Sequence, residues 1–123
     1  MTAAENALAV VRAYHDSWTS GRFDDAAALL APELKVEVPI NEYPTRESFA
    51  EALASFGAMT SRVTLLSELG HADEAMLLYD MHVEGLERLR VAEHFTVVDR
   101  HITRLRQIHD TATLREAGFA QRP

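Results

Sequence analysis

Val91-Ala92-Glu93-His94-Phe95-Thr96-Val97-Val98 alternates with period two, the signature of a strand with one buried face. Val91, Glu93, Phe95 and Val97 share one parity; Ala92, His94, Thr96 and Val98 share the other. The first set is the apolar face, so a glutamate points where the core should be. Burial disfavours an ionised carboxylate, which must find partners or keep its proton. Two readings stand at this point. Glu93 marks a pocket, as carboxyl groups with displaced pKa values tend to do. Otherwise it lies near a sheet edge and reaches solvent or an arginine such as Arg88, Arg104 or Arg106.

The same period runs outward from this stretch. Strands are predicted over residues 62–69, 74–83, 88–98 and 102–109. Gly70-His71-Ala72-Asp73, Glu84-Gly85-Leu86-Glu87 and Asp99-Arg100-His101 separate them and are short enough for antiparallel hairpins. Upstream the period is helical. Thr2-Ala3-Ala4-Glu5 reads as a capping box, followed by Ala7, Val10, Val11, Tyr14 and Trp18 at helical spacing and by Gly21 as the stop. A second helix is expected from Asp24 or Asp25 through Leu30, stopped by Pro32. A strand over 34–38 ends at Pro39. Thr45 then caps a third helix carrying Phe49, Leu53 and Phe56, with Gly57 just after it. Helices followed by a meander of long strands predict an α+β fold: a cone-shaped, curved, mostly antiparallel sheet wrapped around N-terminal helices. A cone of that kind has a cavity at its mouth.

At 123 residues and 47% apolar content, the chain reads as one globular domain over 1–123. Twelve basic against 19 acidic residues give a net charge of −7. That balance, with no basic block, argues against nucleic acid and anionic membranes as partners. The absence of cysteine removes disulfides, thiolate nucleophiles and Cys-based zinc sites. No signal sequence or apolar span is legible, so a cytoplasmic protein is expected.

The order and lengths of these elements resemble the nuclear transport factor 2-like superfamily. That group includes ketosteroid isomerases, SnoaL-like polyketide cyclases and limonene epoxide hydrolases. Ala9-Val10-Val11-Arg12-Ala13-Tyr14, Gly21 and Val36-Glu37-Val38-Pro39 are similar to the isomerase N-terminal half. Glu93-His94-Phe95 is similar to the isomerase Asp-His-Phe. The resemblance implies a cystatin-like α+β barrel, and it places Tyr14 and Glu93 on the two oxyanion-hole positions. A phenol and a neutral carboxylic acid in a dry pocket can both donate hydrogen bonds to a developing enolate oxygen. It also places Val38 where the isomerase has its general base, and Gln107 where the epoxide hydrolase has its water-activating aspartate. Valine cannot take a proton and glutamine has no useful basicity, so neither of those mechanisms is expected.

The remaining polar candidates are His109 and Asp110, at the end of the last strand. His109 is a candidate general base because histidine as a residue type ordinarily titrates near working pH; its duller role is a strand-end hydrogen bond to Asp110 or to the C-terminal segment. Tyr14 has a plain alternative as a core tyrosine. Trp18, Val38, Phe56, Tyr79, Phe95 and Gln107 are expected to line the pocket, and a loop carboxylate such as Glu42 is a further proton carrier. His82 and His94 share no clear pocket parity with Glu93. His71-x-Asp73 is too weak for a metal site, so no metal is expected. The glycines form no phosphate loop, and no nucleotide or other cofactor is indicated.

Two functions of different class fit these residues. One is a cofactor-independent cyclase, isomerase or dehydratase acting on a small apolar carbonyl compound through an enolate. The other is a non-catalytic module that binds an apolar molecule or mediates assembly. Met76 and Leu78 oppose Leu77, Tyr79 and Met81, which leaves a second apolar sheet face. A homodimer through that outer face is expected, with His94 and Thr96 among its contacts.

Overall fold

The computed structural model describes residues 3–121. The capping box read at the N-terminus depends on Thr2, which lies outside them. Helix α1 (Ala3–Thr19) buries Ala7, Val11, Tyr14 and Trp18 on one face. It ends where Gly21 takes φ 82° and Arg22 N–H donates to the Ser17 carbonyl at 2.8 Å. That left-handed turn favours glycine.

Helix α2 (Phe23–Ala28) is shorter than expected, and strand β1 (Leu30–Glu37) begins before Pro32 rather than after it. The reason is position. β1 is an edge strand, paired only with the last strand, and its register slips between Leu30 and Lys35. An irregular edge needs no ladder N–H at the proline, while buried Leu30 and Ala31 anchor the strand on the core.

Helix α3 (Arg46–Ala58) starts at a reciprocal cap: Thr45 Oγ1 accepts from Ser48 N–H and Ser48 Oγ accepts from Thr45 N–H, both at 3.1 Å. Gly57 lies inside this helix instead of ending it. A Cβ there would come within 2.5 Å of the Phe23 ring, so the glycine serves helix packing.

Strands β2 (Thr60–His71), β3 (Glu74–Val83), β4 (Leu89–Val98) and β5 (His101–Ile108) form the antiparallel meander. β2 extends beyond its predicted ends and carries two register shifts, which let a twelve-residue strand bend. The sheet order is β1-β5-β4-β3-β2, with β1 parallel to β5. The sheet is curved and open, the cone expected from the sequence, with β1 and β2 as its edges. α1 crosses the concave face and α3 packs against β1. Between them lie Leu77, Tyr79, Val91, Phe95, Ile102 and Leu105, all buried. A short helix α4 (Ala112–Glu116), absent from the sequence reading, follows β5. No described helix is long and apolar enough to cross a membrane.

Candidate functional site

Alternation in β4 puts Glu93 on the concave face, 1% exposed and between the neighbouring strands' Leu77 and Gln107. Gln107 Nε2 donates to Glu93 Oε2 at 2.7 Å. Oε1 has no hydrogen-bond partner among the described residues. Among the described residues no arginine reaches the carboxyl: Arg88 lies near Asp80, Arg106 near Glu37, and Arg104 is exposed. The edge-pairing reading is therefore excluded. Burial raises the Glu93 pKa from 4.5 to about 7, with Gln107 and then Tyr79 opposing the rise. The Tyr79 hydroxyl is close enough to favour the ionised carboxylate, yet its geometry leaves Oε1 unpaired.

Two phenols therefore lie about Glu93: Tyr14, which the sequence places there, and Tyr79, expected only as pocket wall. Tyr14 is also buried near the carboxylate; burial and then the Glu93 charge raise its pKa well above the ordinary value. Its ring meets Phe95 edge-on at 5.8 Å. Burial likewise raises the Tyr79 pKa. Both phenols therefore stay protonated and remain donors.

Two connected spaces open above Glu93. The inner one, about 70 Å³, is lined by Tyr14, Trp18, Tyr79, Glu93, Gln107 and His109 with apolar walls from Leu53, Met81 and Val91. The outer one, about 250 Å³, is lined by Val38, Ile40, Tyr43, Phe49, Met59, Leu114 and Phe119, with Asn41 at its rim. Leu53, Phe56, Gln107 and His109 belong to both and form the waist.

Three expected site residues stand elsewhere. Phe95 is wholly buried beneath the floor, absent from both linings, because the strand period sets it against Tyr14. Asp110 is exposed, and its Oδ1 accepts from Ala112 N–H at 3.1 Å to start α4. Glu42 is exposed, and its backbone is tied to Gln121. His109 joins the cavity from just beyond β5 and makes the strand-end bond as well. Its Nδ1 donates to the Asp110 carbonyl at 2.9 Å. A carbonyl only accepts, so in the neutral ring Nε2 is the basic nitrogen.

His15 was missed by sequence reasoning. It is buried between Trp18, at 5.6 Å, and Tyr79, at 5.0 Å between ring centroids. Burial lowers its pKa to about 4, and among the described residues Nδ1 has no partner. The available signal was its place in the helix, one residue after Tyr14 and three before Trp18. His94 lies on the outer face, with Nε2 2.7 Å from Glu74. Among the described residues no three His, Asp or Glu side chains gather as metal ligands.

A SnoaL-like domain is matched over residues 11–105. A protein of known structure from Kribbella flavida DSM 17836 is 31% identical, over 89% of this chain and 91% of its own, with a TM-score of 0.84. A candidate ketosteroid isomerase from the same organism is 23% identical, with 100% of this chain and 94% of that one covered and a TM-score of 0.76. An LEH-like epoxide hydrolase of M. tuberculosis is 18% identical over 92% and 89%, with a TM-score of 0.74. These last two are alike in fold. A comparison with curated proteins gives no match. The domain match runs from Val11 in α1 to Leu105 in β5 and takes in Tyr14, Trp18, Tyr79 and Glu93 of the inner cavity, with Gln107 and His109 just beyond it; the chain belongs to the SnoaL-like family.

Proposed function

We propose that this protein holds a small apolar carbonyl compound and promotes isomerisation, cyclisation or dehydration through an enolate, without a cofactor. The observation that carries this reading is the unpartnered Glu93 Oε1 at the floor of the inner cavity. Gln107 fixes Oε2 as an acceptor, so the proton of the neutral acid sits on Oε1 and is free to bond a ligand oxygen. Negative charge developing on that oxygen gains most from a donor already in place within a dry site. Tyr14 and Tyr79 supply further O–H groups, and His109 Nε2 is the proton acceptor at the waist.

Carboxyl NMR titration, with and without an aryl ketone, tests the reading. Glu93 should titrate near neutrality, the ketone should raise its pKa further, and Trp18 fluorescence should respond to binding. A Glu93 pKa at or below 4.5 would overturn it.

The second reading is a binding module without turnover. Val38 on the outer wall and Gln107 at the waist favour it, since neither is a base. A panel of ketones that bind but are never converted would select this reading.

Assembly is proposed through the outer sheet face. Leu69 is paired with Met76, and Leu78 with Ala92, which in turn faces Ile108. Leu69 is 67% and Ile108 74% exposed. Such rows of apolar groups suit a symmetric partner. A monomeric mass by light scattering at micromolar concentration would end the proposal.

A further inference from the structure

Part of the outer chamber is built by chain that the sheet does not hold. After β5, α4 is closed at its C-terminus by Gly118, with φ 86°, and by Phe119 N–H donating to the Leu114 carbonyl at 3.0 Å. This turn folds Phe119 back beside Leu114, so both side chains face the chamber. The Phe119 ring meets Phe56 edge-on at 5.3 Å. Asp110 fixes the start of the helix, which makes the segment a small unit with its own internal bonds.

Its attachment to the opposite rim is polar and wet. Asn41 Nδ2 donates to the Phe119 carbonyl at 2.9 Å, and Gln121 N–H donates back to Asn41 Oδ1. Glu42 N–H donates to Gln121 Oε1 at 2.9 Å, and Gln121 Nε2 donates to the Glu42 carbonyl at 3.2 Å. Asn41 itself sits at φ 69°, a conformation asparagine tolerates better than most residues. Water competes for every one of these bonds except the partly covered Asn41–Phe119 contact, so the latch is weak beside the sheet ladders.

We propose that residues 111–121 are a strap that selects the ligand by size: it unlatches at Asn41 and Gln121 to widen the mouth of an outer chamber that is already part open, and Phe119 limits what fits once it has closed. The inference rests on the apolar-ligand reading of the same cavity. It identifies Phe119 and Leu114 as the residues that set ligand length, and Asn41 and Gln121 as the residues that set the rate of entry.

Binding kinetics of two fluorescent naphthyl ketones provide the test: prodan, with a short acyl chain, and laurdan, with a long one. Asn41→Gly keeps the left-handed backbone while removing both side-chain bonds, and it should raise prodan association and dissociation rates about tenfold each. Phe119→Ala should admit laurdan where the parent protein excludes it. Hydrogen exchange supplies a ligand-free readout. The amides of Phe119, Gly118 and Glu42 should exchange together, well ahead of those in β4, and faster still in Asn41→Gly. Prodan rates equal in the parent and Asn41→Gly would remove the strap while leaving the ligand reading intact. Prodan bound by neither protein would remove both. Strap amides that exchange only on global unfolding would overturn the inference whatever the ketones do.

Discussion

Two carboxylates on adjacent strands are almost equally hidden and behave in opposite ways. Glu93 on β4 is 1% exposed and Asp80 on β3 is 7% exposed. Asp80 lies on the outer face, where Arg90 bonds both its oxygens, at 2.7 and 3.0 Å, and Arg88 approaches to 3.8 Å. The Arg90 hydrogen bonds hold its pKa below the usual value. What covers Asp80 is the arginines themselves, which are more than half exposed. Glu93 is covered by the core and has an amide and a phenol for neighbours, so its pKa rises to about 7. Lack of exposure alone does not decide the charge of a carboxylate. The identity of the covering group does.

The largest expected effect breaks the dry side of this contrast. Phe95→Ala should cost about 3–5 kcal/mol in denaturant unfolding, by opening a cavity under Tyr14 and Glu93. Water entering there should also lower the Glu93 pKa, and NMR titration of the variant reads that directly.

The pH profile separates the two carboxylates further. With its folded pKa raised, Glu93 contributes stability that is complete below the unfolded value of 4.5 and is lost as pH rises to about 7. The linked change is roughly 3 kcal/mol. His15 opposes it. Its folded pKa is depressed from 6.5 to about 4, so the unfolded chain protonates first and stability falls as pH drops through that interval. The two slopes overlap between 4.5 and 6.5 and partly cancel. His15→Leu should therefore expose a fall in stability from pH 4.5 to 7, whereas Glu93→Gln should expose a fall in the other direction. Asp80→Asn should lower stability evenly above about pH 4 and flatten only the acid limb below it, because a depressed carboxylate loses its contribution as pH falls through its folded pKa. Urea unfolding at a series of pH values distinguishes all three; identical profiles would show that Glu93 and His15 are both solvated.

Glu93→Ala, measured near pH 5, should cost about 1–3 kcal/mol through the void and the unpaired Gln107 amide. Glu93→Gln at the same pH should be close to neutral. The smallest effect lies far from the site. Ala72 holds φ 53° in the β2–β3 turn, and Ala72→Gly should raise the melting free energy by about 0.5–1 kcal/mol, as the relief of strain exceeds the added chain entropy.

The meander and the direction of Glu93 were legible because strand parity is rigid: once β4 is read, every side chain on it is assigned a face. The pairing of Glu93 with Gln107 needed the register between β4 and β5, which parity alone leaves undetermined. Tyr14 and Tyr79 show the limit. Both have the right chemistry, and only the depth at which α1 lies across the sheet decides how near each phenol comes to the carboxyl. Pro32 misled because its helix-stopping chemistry is local, while its tolerance on an irregular edge strand depends on a partner some seventy residues away. α4 is five residues long and depends on a cap and a tie to Asn41 and Glu42, so no periodic signal announces it.

The open sheet carries a colloidal consequence. An unclosed sheet offers two rows of unpaired backbone groups to any other copy of the chain, the usual starting point for strand-by-strand aggregation. Here one row is interrupted by Pro32 and flanked by exposed Glu33, Lys35 and Glu37. The other is broken twice in register along β2 and carries Arg62, Glu68 and His71. A variant with a straightened β2 or a replaced Pro32 would keep its cavity and lose this protection, turning turbid at concentrations where the parent protein stays clear.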